Sequence, residues 1–243
     1  METVPHPRYP LAMAESGIYE AYADDYAVHS EQSSFNAHYE RPALIGLLPA
    51  VDGRTVLDVG CGAGPMSERL ESLGARVTGL DLSRPLLERA RRRCPDAGFI
   101  EHDLAEPLPF GSGSFHCVVA SLCLHYVRDW EPVLAEFFRV LEPGGCVVLS
   151  TSHPAGDWAR HPTGRYFETR EIEETWDIAG RSKDVRFYRR PLASSVSSFL
   201  AAGFVLEVLH EAQPAESCEA VSTEDYAMLM RDRHFILFRL RKP

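Results

Sequence analysis

The chain has 243 residues, 45% of them apolar and 25% charged, which suits one sizeable α/β domain and excludes a disordered or collagen-like chain. A formal net charge of −10 repels polyanions, so nucleic acid and anionic membrane surfaces are excluded as main partners. The six cysteines include no C-x-x-C pair, and Cys117, Cys123 and Cys146 fall in apolar runs; they read as reduced thiols of a cytoplasmic protein without a metal site.

The first residues, METVPHPRYPLAMAESG, lack a charged segment followed by an apolar one, so no secretory signal is expected, and no apolar run is long enough to span a membrane. Residues 15–48 carry helical spacing and the aromatics Tyr19, Tyr22, Tyr26, Phe35 and Tyr39, which predicts a helical cap over the core. Strand-length apolar runs then alternate with helical segments. Thr55–Val59 is a strand, followed by a glycine turn and a helix from Pro65 to Leu73. Arg76–Asp81 is the second strand, and Ser83 caps a helix over Pro85–Arg93 whose basic last turn complements the helix dipole. Gly98–His102 and Phe115–Ser121 are the third and fourth strands, the latter apolar throughout, as a strand covered on both faces is. A helix over Glu131–Leu141 stops at Pro143-Gly144-Gly145, and Cys146–Ser150 is the fifth strand.

Residues 153–190 break this rhythm. They are rich in Pro, Gly, aromatics and charge, and read as an irregular insertion over the ligand edge of the sheet. A helix at Leu192–Ala202, a strand at Phe204–His210, a short helix near Thr223–Met230 and a strand at His234–Arg241 complete the chain, the last two strands forming an antiparallel pair. The alternation predicts one α/β domain over residues 1–243: a doubly wound, mostly parallel seven-stranded sheet with an antiparallel C-terminal strand.

The turn after the first strand reads VLDVGCGAGPMSERL, residues 56–70. A dinucleotide fingerprint needs a third glycine where Pro65 stands, and a P-loop needs a lysine that the turn lacks. Asp58 at the strand end would repel a pyrophosphate and favour a cation. The pattern D-x-G-x-G-x-G, followed by GLDLS, EHDLAEPLPF, FHCVVASLCLHYVRD and LEPGGCVVLS in order from Val56 to Ser150, resembles the class I S-adenosylmethionine-dependent methyltransferases, nearest to their small-molecule branch.

The resemblance implies a Rossmann-like fold and S-adenosylmethionine as cofactor. It places Asp58, Gly60, Cys61, Gly62 and Gly64 at the methionine portion and ribose, Ser121 and Leu122 at the sulfonium end, and the adenine ring between Leu82 and Leu104. Asp81 is expected to accept both ribose hydroxyls, with helix capping as the alternative, and Asp103 to accept from the adenine amino group or to form a turn. Arg41 pairs with the cofactor carboxylate or sits in a surface salt bridge, and Tyr22, Tyr26 and Tyr39 close over the cofactor or simply pack.

Methyl transfer needs alignment and, for a protic acceptor, a base. His125 and His153, at the ends of the fourth and fifth strands, are the candidates; His153 stands on the acceptor side, and His125 also suits a packing role. Trp158, Tyr166, Trp176, Tyr188 and Arg190 line an acceptor pocket or pack the insertion. The function implied is methylation of a small-molecule acceptor, a secondary metabolite or cofactor-pathway intermediate, by a monomer or homodimer. The alternatives are a protein methyltransferase and a cofactor-binding pseudo-enzyme.

Overall fold

The computed structural model describes residues 23–178 and 181–243. Tyr19 and Tyr22 lie outside the described residues, as does the side chain of Tyr26. Seven strands form one sheet in the order β3-β2-β1-β4-β5-β9-β8: β1 (Thr55–Val59), β2 (Arg76–Asp81), β3 (Gly98–Glu101), β4 (Phe115–Ala120), β5 (Leu141–Ser152), β8 (Val205–Glu211) and β9 (Phe235–Arg241). Strands β1 to β5 run parallel, while β9 runs antiparallel to both β5 and β8. Two further strands, β6 (Arg170–Ile178) and β7 (Arg181–Arg189), form a separate antiparallel hairpin.

Period-two alternation explains why the central strands read as continuous apolar runs. Leu57, Val59, Val118, Ala120, Val147 and Leu149 face one layer, where Leu134 and Phe137 of helix α5 (Trp130–Val140) and Phe199 of α7 (Leu192–Ala201) cover them. Val56, Cys117, Val119, Cys146 and Val148 face the other, beneath Leu44 of α2 (Arg41–Gly46) and Met66 and Leu70 of α3 (Pro65–Ser72). With both faces covered, β1 and β4 carry few polar side chains: Thr55, Asp58 and His116. All six cysteines are buried and free.

The crossovers end as their sequences dictate. Ser83 caps α4 (Arg84–Arg93), accepting from the Leu86 amide at 3.5 Å, and Pro85 stands in the first turn. Strand β5 starts at Leu141, five residues before the run expected from sequence. Leu141 pairs with Phe115, the ladder slips, and pairing resumes at Cys146, so the Pro143-Gly144-Gly145 break is a bulge within the strand.

The segment 153–190 is more regular than its composition indicates. Helix α6 (Pro154–Arg160) leads into the β6–β7 hairpin, paired from Arg170↔Arg189 to Ile178↔Arg181. A six-residue helix, α8 (Glu216–Val221), also precedes the expected α9 (Thr223–Arg231). The cap comprises α1 (Ala23–Gln32), a π-helical turn (Asn36–Glu40) and α2. Ala23 and Ala27 pack on Ala63 of the glycine turn and Leu86 of α4, Tyr39 stacks on Phe235, and Ser34 donates to Asp225 at 2.6 Å. The cap is thereby held over the carboxyl edge of the sheet, where α/β folds bind ligands.

Candidate functional site

Two cavities meet beneath the cap. The first lies over the glycine turn and is lined by Arg41, Asp58, Gly60, Cys61, Gly62, Asp81, Leu82, Ser121 and Leu122, all of them expected from sequence. Ser30, Asn36, Met66, Ser83 and Tyr126 join them unannounced. Gly60, Gly62 and Gly64 have φ of +65°, +53° and +83°, values that disfavour any side chain. A Cβ on Gly60 would lie 2.5 Å from Cβ of Cys123, so what requires glycine there is the protein's own packing. A Cβ on Gly62 would meet nothing within 4 Å, which leaves that peptide bare toward the cleft. Gly64 is the N-cap of α3 against Ala90 and does not line the cleft.

The cleft is acidic. Asp81 Oδ2 accepts from the Gly62 amide and Oδ1 from the Ser83 amide, both at 2.8 Å, so one carboxylate ties the glycine turn to the start of α4. Burial raises its pKa against those amide bonds. A carboxylate offers about four acceptor positions, so Asp81 keeps capacity for a ligand hydroxyl. Asp58 is fully buried; its Oδ2 accepts from Ser67 at 2.6 Å, while Oδ1 has no hydrogen-bond partner among the described residues. Burial, with Asp81 and Glu40 nearby, pushes its pKa up to about 7 against the Ser67 hydroxyl bond. Arg41 is the one cation among the described lining residues, and it also donates to the Ser30 carbonyl at 3.2 Å.

Asp103 and Leu104 stand apart from this cleft. Asp103 Oδ1 accepts from the Ala105 amide at 2.9 Å, the turn contact expected as its alternative role, and Leu104 belongs to the core cluster that holds Leu134 and Phe137. Tyr39 is likewise core, its hydroxyl accepting from the Phe235 amide at 3.4 Å.

The second cavity, of about 710 Å³, lies between the cap, the hairpin and the C-terminal helices. It shares Asn36, Leu122 and Tyr126 with the first, so these three residues form the junction. Its walls include the aromatics Phe35, Tyr126, Trp176, Phe187 and Phe235, beside polar residues such as Gln32, Ser34, Ser152 and Asp225. Arg160 and Glu174 supply opposite charges, but both are engaged. Arg160 donates to Asp157 at 2.6 Å, and Glu174 accepts from Trp176 at 2.7 Å and pairs with His161.

The two candidate bases separate here. His153 Nδ1 accepts from the Ala155 amide at 3.1 Å and Nε2 pairs with Glu211 at 2.8 Å, so both ring nitrogens are committed to capping α6 and tying it to β8. It lines neither cavity. A His-Pro step opening a helix is an N-cap signature, and that ordinary role displaces the catalytic one. His125 does line the second cavity, in the 3₁₀ turn Leu124–Tyr126, and is 4% exposed with Nδ1 lacking a partner among the described residues. Burial drives its pKa down to about 3. It is a neutral imidazole, and holding a proton near neutrality would cost on the order of 5 kcal/mol. Of the insertion residues, Trp176 lines the cavity; Trp158 packs under Arg189, and Arg190 lies 4.1 Å over the Trp130 ring.

Sequence reasoning missed Glu40 and Glu174. Glu40 is 1% exposed and accepts from the hydroxyls of Ser121 and Ser150 at 2.9 and 2.5 Å. Its only sequence signal is its place beside Arg41, since its partners lie far along the chain. Leu122 is the sole non-glycine with positive φ among the described residues, at +46°. Such strain collects at functional sites.

Residues 57–149 match the family model Methyltransf_11, methyltransferase domain. A demethylmenaquinone methyltransferase of Renibacterium salmoninarum is 42% identical over 115 residues, 47% of this chain and 48% of the relative. A malonyl-[acyl-carrier protein] O-methyltransferase of Salmonella typhimurium is 35% identical over 121 residues, 50% of this chain and 48% of the relative. The chain thus spans about half the length of these curated relatives. An S-adenosylmethionine dependent methyltransferase from Mesorhizobium loti superposes with a TM-score of 0.67 at 27% identity, covering 82% of this chain and 96% of that one. The glycine turn, the acid ending β2 and the single reversed strand of a seven-stranded sheet thus stand in a chain whose residues 57–149 match a methyltransferase domain and whose fold is similar to that of an S-adenosylmethionine-dependent methyltransferase.

Proposed function

We propose that this protein uses S-adenosylmethionine to methylate a small planar acceptor held in the chamber of about 710 Å³. The observation that carries the reading is the pair of cavities joined at Asn36, Leu122 and Tyr126, one acidic over the glycine turn and one aromatic beneath the cap. The cofactor supplies a methyl group already activated on a positively charged sulfur. The residues present fit it. The unpartnered buried oxygen of Asp58 and the neighbouring Asp81 suit a cationic ligand, Arg41 suits its carboxylate, and Asp81 retains acceptor capacity for ribose hydroxyls.

The chain's contribution is alignment and exclusion of water. Phe35, Trp176 and Phe187 offer flat apolar walls for a ring system. His125 orients an acceptor hydroxyl as a neutral hydrogen-bonding group and is too weak a base to take its proton. The favoured acceptor therefore carries a hydroxyl or enol acidic enough to ionise readily. The one arginine among the described chamber residues, already paired, disfavours a diphosphate ester. A walled chamber of small-molecule size also favours a metabolite over a protein side chain.

Calorimetric titration with S-adenosylmethionine tests the cofactor reading. Asp81→Ala should weaken binding by about tenfold to a hundredfold, the worth of one or two charge-assisted hydrogen bonds. Unchanged affinity would remove Asp81 from the site. Transfer of labelled methyl groups to panels of phenolic and enolic compounds then tests the acceptor class, and labelling confined to proteins would overturn it.

A further inference from the structure

Glu40 sits behind the lining of the first cavity, in the π-helical turn that joins α1 to α2. Its carboxylate crosses from the cap to the ends of two central strands. Oε1 accepts from Ser121 Oγ at 2.9 Å, just after β4, and from Ser150 Oγ at 2.5 Å, within β5. Ser150 Oγ in turn accepts from the Leu122 amide at 3.0 Å. One chain of hydrogen bonds therefore runs from the cap through Glu40 and Ser150 to Leu122.

Leu122 stands where the two cavities meet, with a left-handed backbone that a β-branch-free but bulky side chain adopts only under constraint. Ser121 beside it lines the first cavity. From the cap side, Asn36 of the same π-helical turn as Glu40 lines both cavities, and Arg41, the next residue after Glu40, lines the first. The cap's contact with a ligand and its contact with the junction thus share five consecutive turn residues and the arginine after them. A buried acid placed here has no role in the core: two serines on neighbouring parallel strands are its partners, and an apolar side chain would have filled the space at lower desolvation cost.

We propose that Glu40 is a positioning residue that couples closure of the cap over the cofactor to the conformation of Leu122, and so sets the aperture between cofactor and acceptor. This rests on the cofactor reading above. When the cap settles, Glu40 draws Ser121 and Ser150 together, and Ser150 holds the Leu122 amide in its left-handed setting. Without the carboxylate, Ser150 loses its acceptor and its hydroxyl is free to rotate away from that amide. The glycine turn, held by Asp81 through Gly62 and Ser83, is independent of this chain of bonds.

Hydrogen exchange read by mass spectrometry, with S-adenosylhomocysteine as the probe, tests this without knowledge of the acceptor. In the wild type the probe should slow exchange in three segments together: residues 36–41, 60–64 and 121–123. Glu40→Gln keeps an acceptor oxygen and should behave as the wild type. Glu40→Ala should retain protection at 60–64 but exchange about tenfold faster at 121–123, the loss of one buried hydrogen-bonded link. Ser150→Ala removes both the Glu40 contact and the acceptor of the Leu122 amide and should give at least as large an effect at 121–123, so the coupling stays open to refutation if Glu40→Ala does not fold. Wild-type protection at 121–123 in folded Glu40→Ala or Ser150→Ala would overturn the coupling alone. Absence of protection at 60–64 in the wild type would overturn the cofactor reading, and the coupling with it.

Discussion

Asp58 offers a charge that the ligand itself should switch on. In the structure it is fully buried, one oxygen is satisfied by Ser67 and the other has no partner among the described residues. Burial and the nearby acids Asp81 and Glu40 push its pKa from 3.8 up to about 7. A cationic ligand prefers the ionised form, so the apparent affinity for S-adenosylmethionine should follow the ionised fraction. That fraction is roughly a tenth at pH 6 and nine tenths at pH 8, so binding should strengthen about tenfold across that range, close to 1.4 kcal/mol. Asp58→Asn keeps an oxygen for Ser67 but cannot ionise, and should lose this part of the pH dependence. Any titration of the ligand itself is common to both proteins, so the difference between their curves isolates Asp58.

Stability moves the opposite way. Because the folded pKa is raised, the native state binds the proton more tightly than the unfolded chain. The stabilisation is complete below pH 3.8 and is lost as pH rises through about 7. A rise from 3.8 to about 7 corresponds to a loss on the order of 4 kcal/mol by pH 8. Asp58→Asn escapes it and should gain in thermal stability over the wild type between pH 4 and pH 8. Calorimetric titrations at pH 6, 7 and 8, with melting curves at the same values, read both effects. Parallel affinity curves for wild type and Asp58→Asn would refute the assignment of a ligand-facing charge to Asp58.

Two other substitutions separate structural from chemical roles. His153→Ala removes the α6 cap and the Glu211 contact, and should lower unfolding free energy by about 1 to 2 kcal/mol while leaving cofactor affinity and methyl transfer intact; a large fall in turnover at unchanged stability would restore it as a base. Gly60→Ala combines a φ of +65° with a Cβ lying 2.5 Å from Cβ of Cys123, and should destabilise by about 3 kcal/mol or more in chemical denaturation. Wild-type stability there would mean the turn is not packed as described.

The parts of this fold that were legible in the sequence are those where one physical demand acts alone. Strands β1 and β4 are buried on both faces, so each writes a mostly apolar run, broken only by Asp58 and His116 beyond the opening Thr55, and the glycine turn writes its φ requirement directly into residue type. The hairpin was illegible because a charged residue interrupts its alternation. Ile172, Glu174 and Trp176 share one face of β6, and the acid among them lines the chamber, so the period-two signal fails at that position. Glu40 was hidden differently. Its partners lie 81 and 110 residues away, and nothing within HYERPAL separates a buried acid from a solvated one. His153 failed in the reverse sense: a histidine at a strand end carries the right chemistry, but the proline after it starts a helix that claims both ring nitrogens. Residue type at an edge therefore selects candidates, while the local hydrogen-bond demand of the next element decides which of them is left with a free atom. By that measure the second cavity is shaped by residues its own elements could not fully satisfy. His125 keeps an unpartnered nitrogen among the described residues, and Leu122 keeps a left-handed backbone whose amide donates to Ser150.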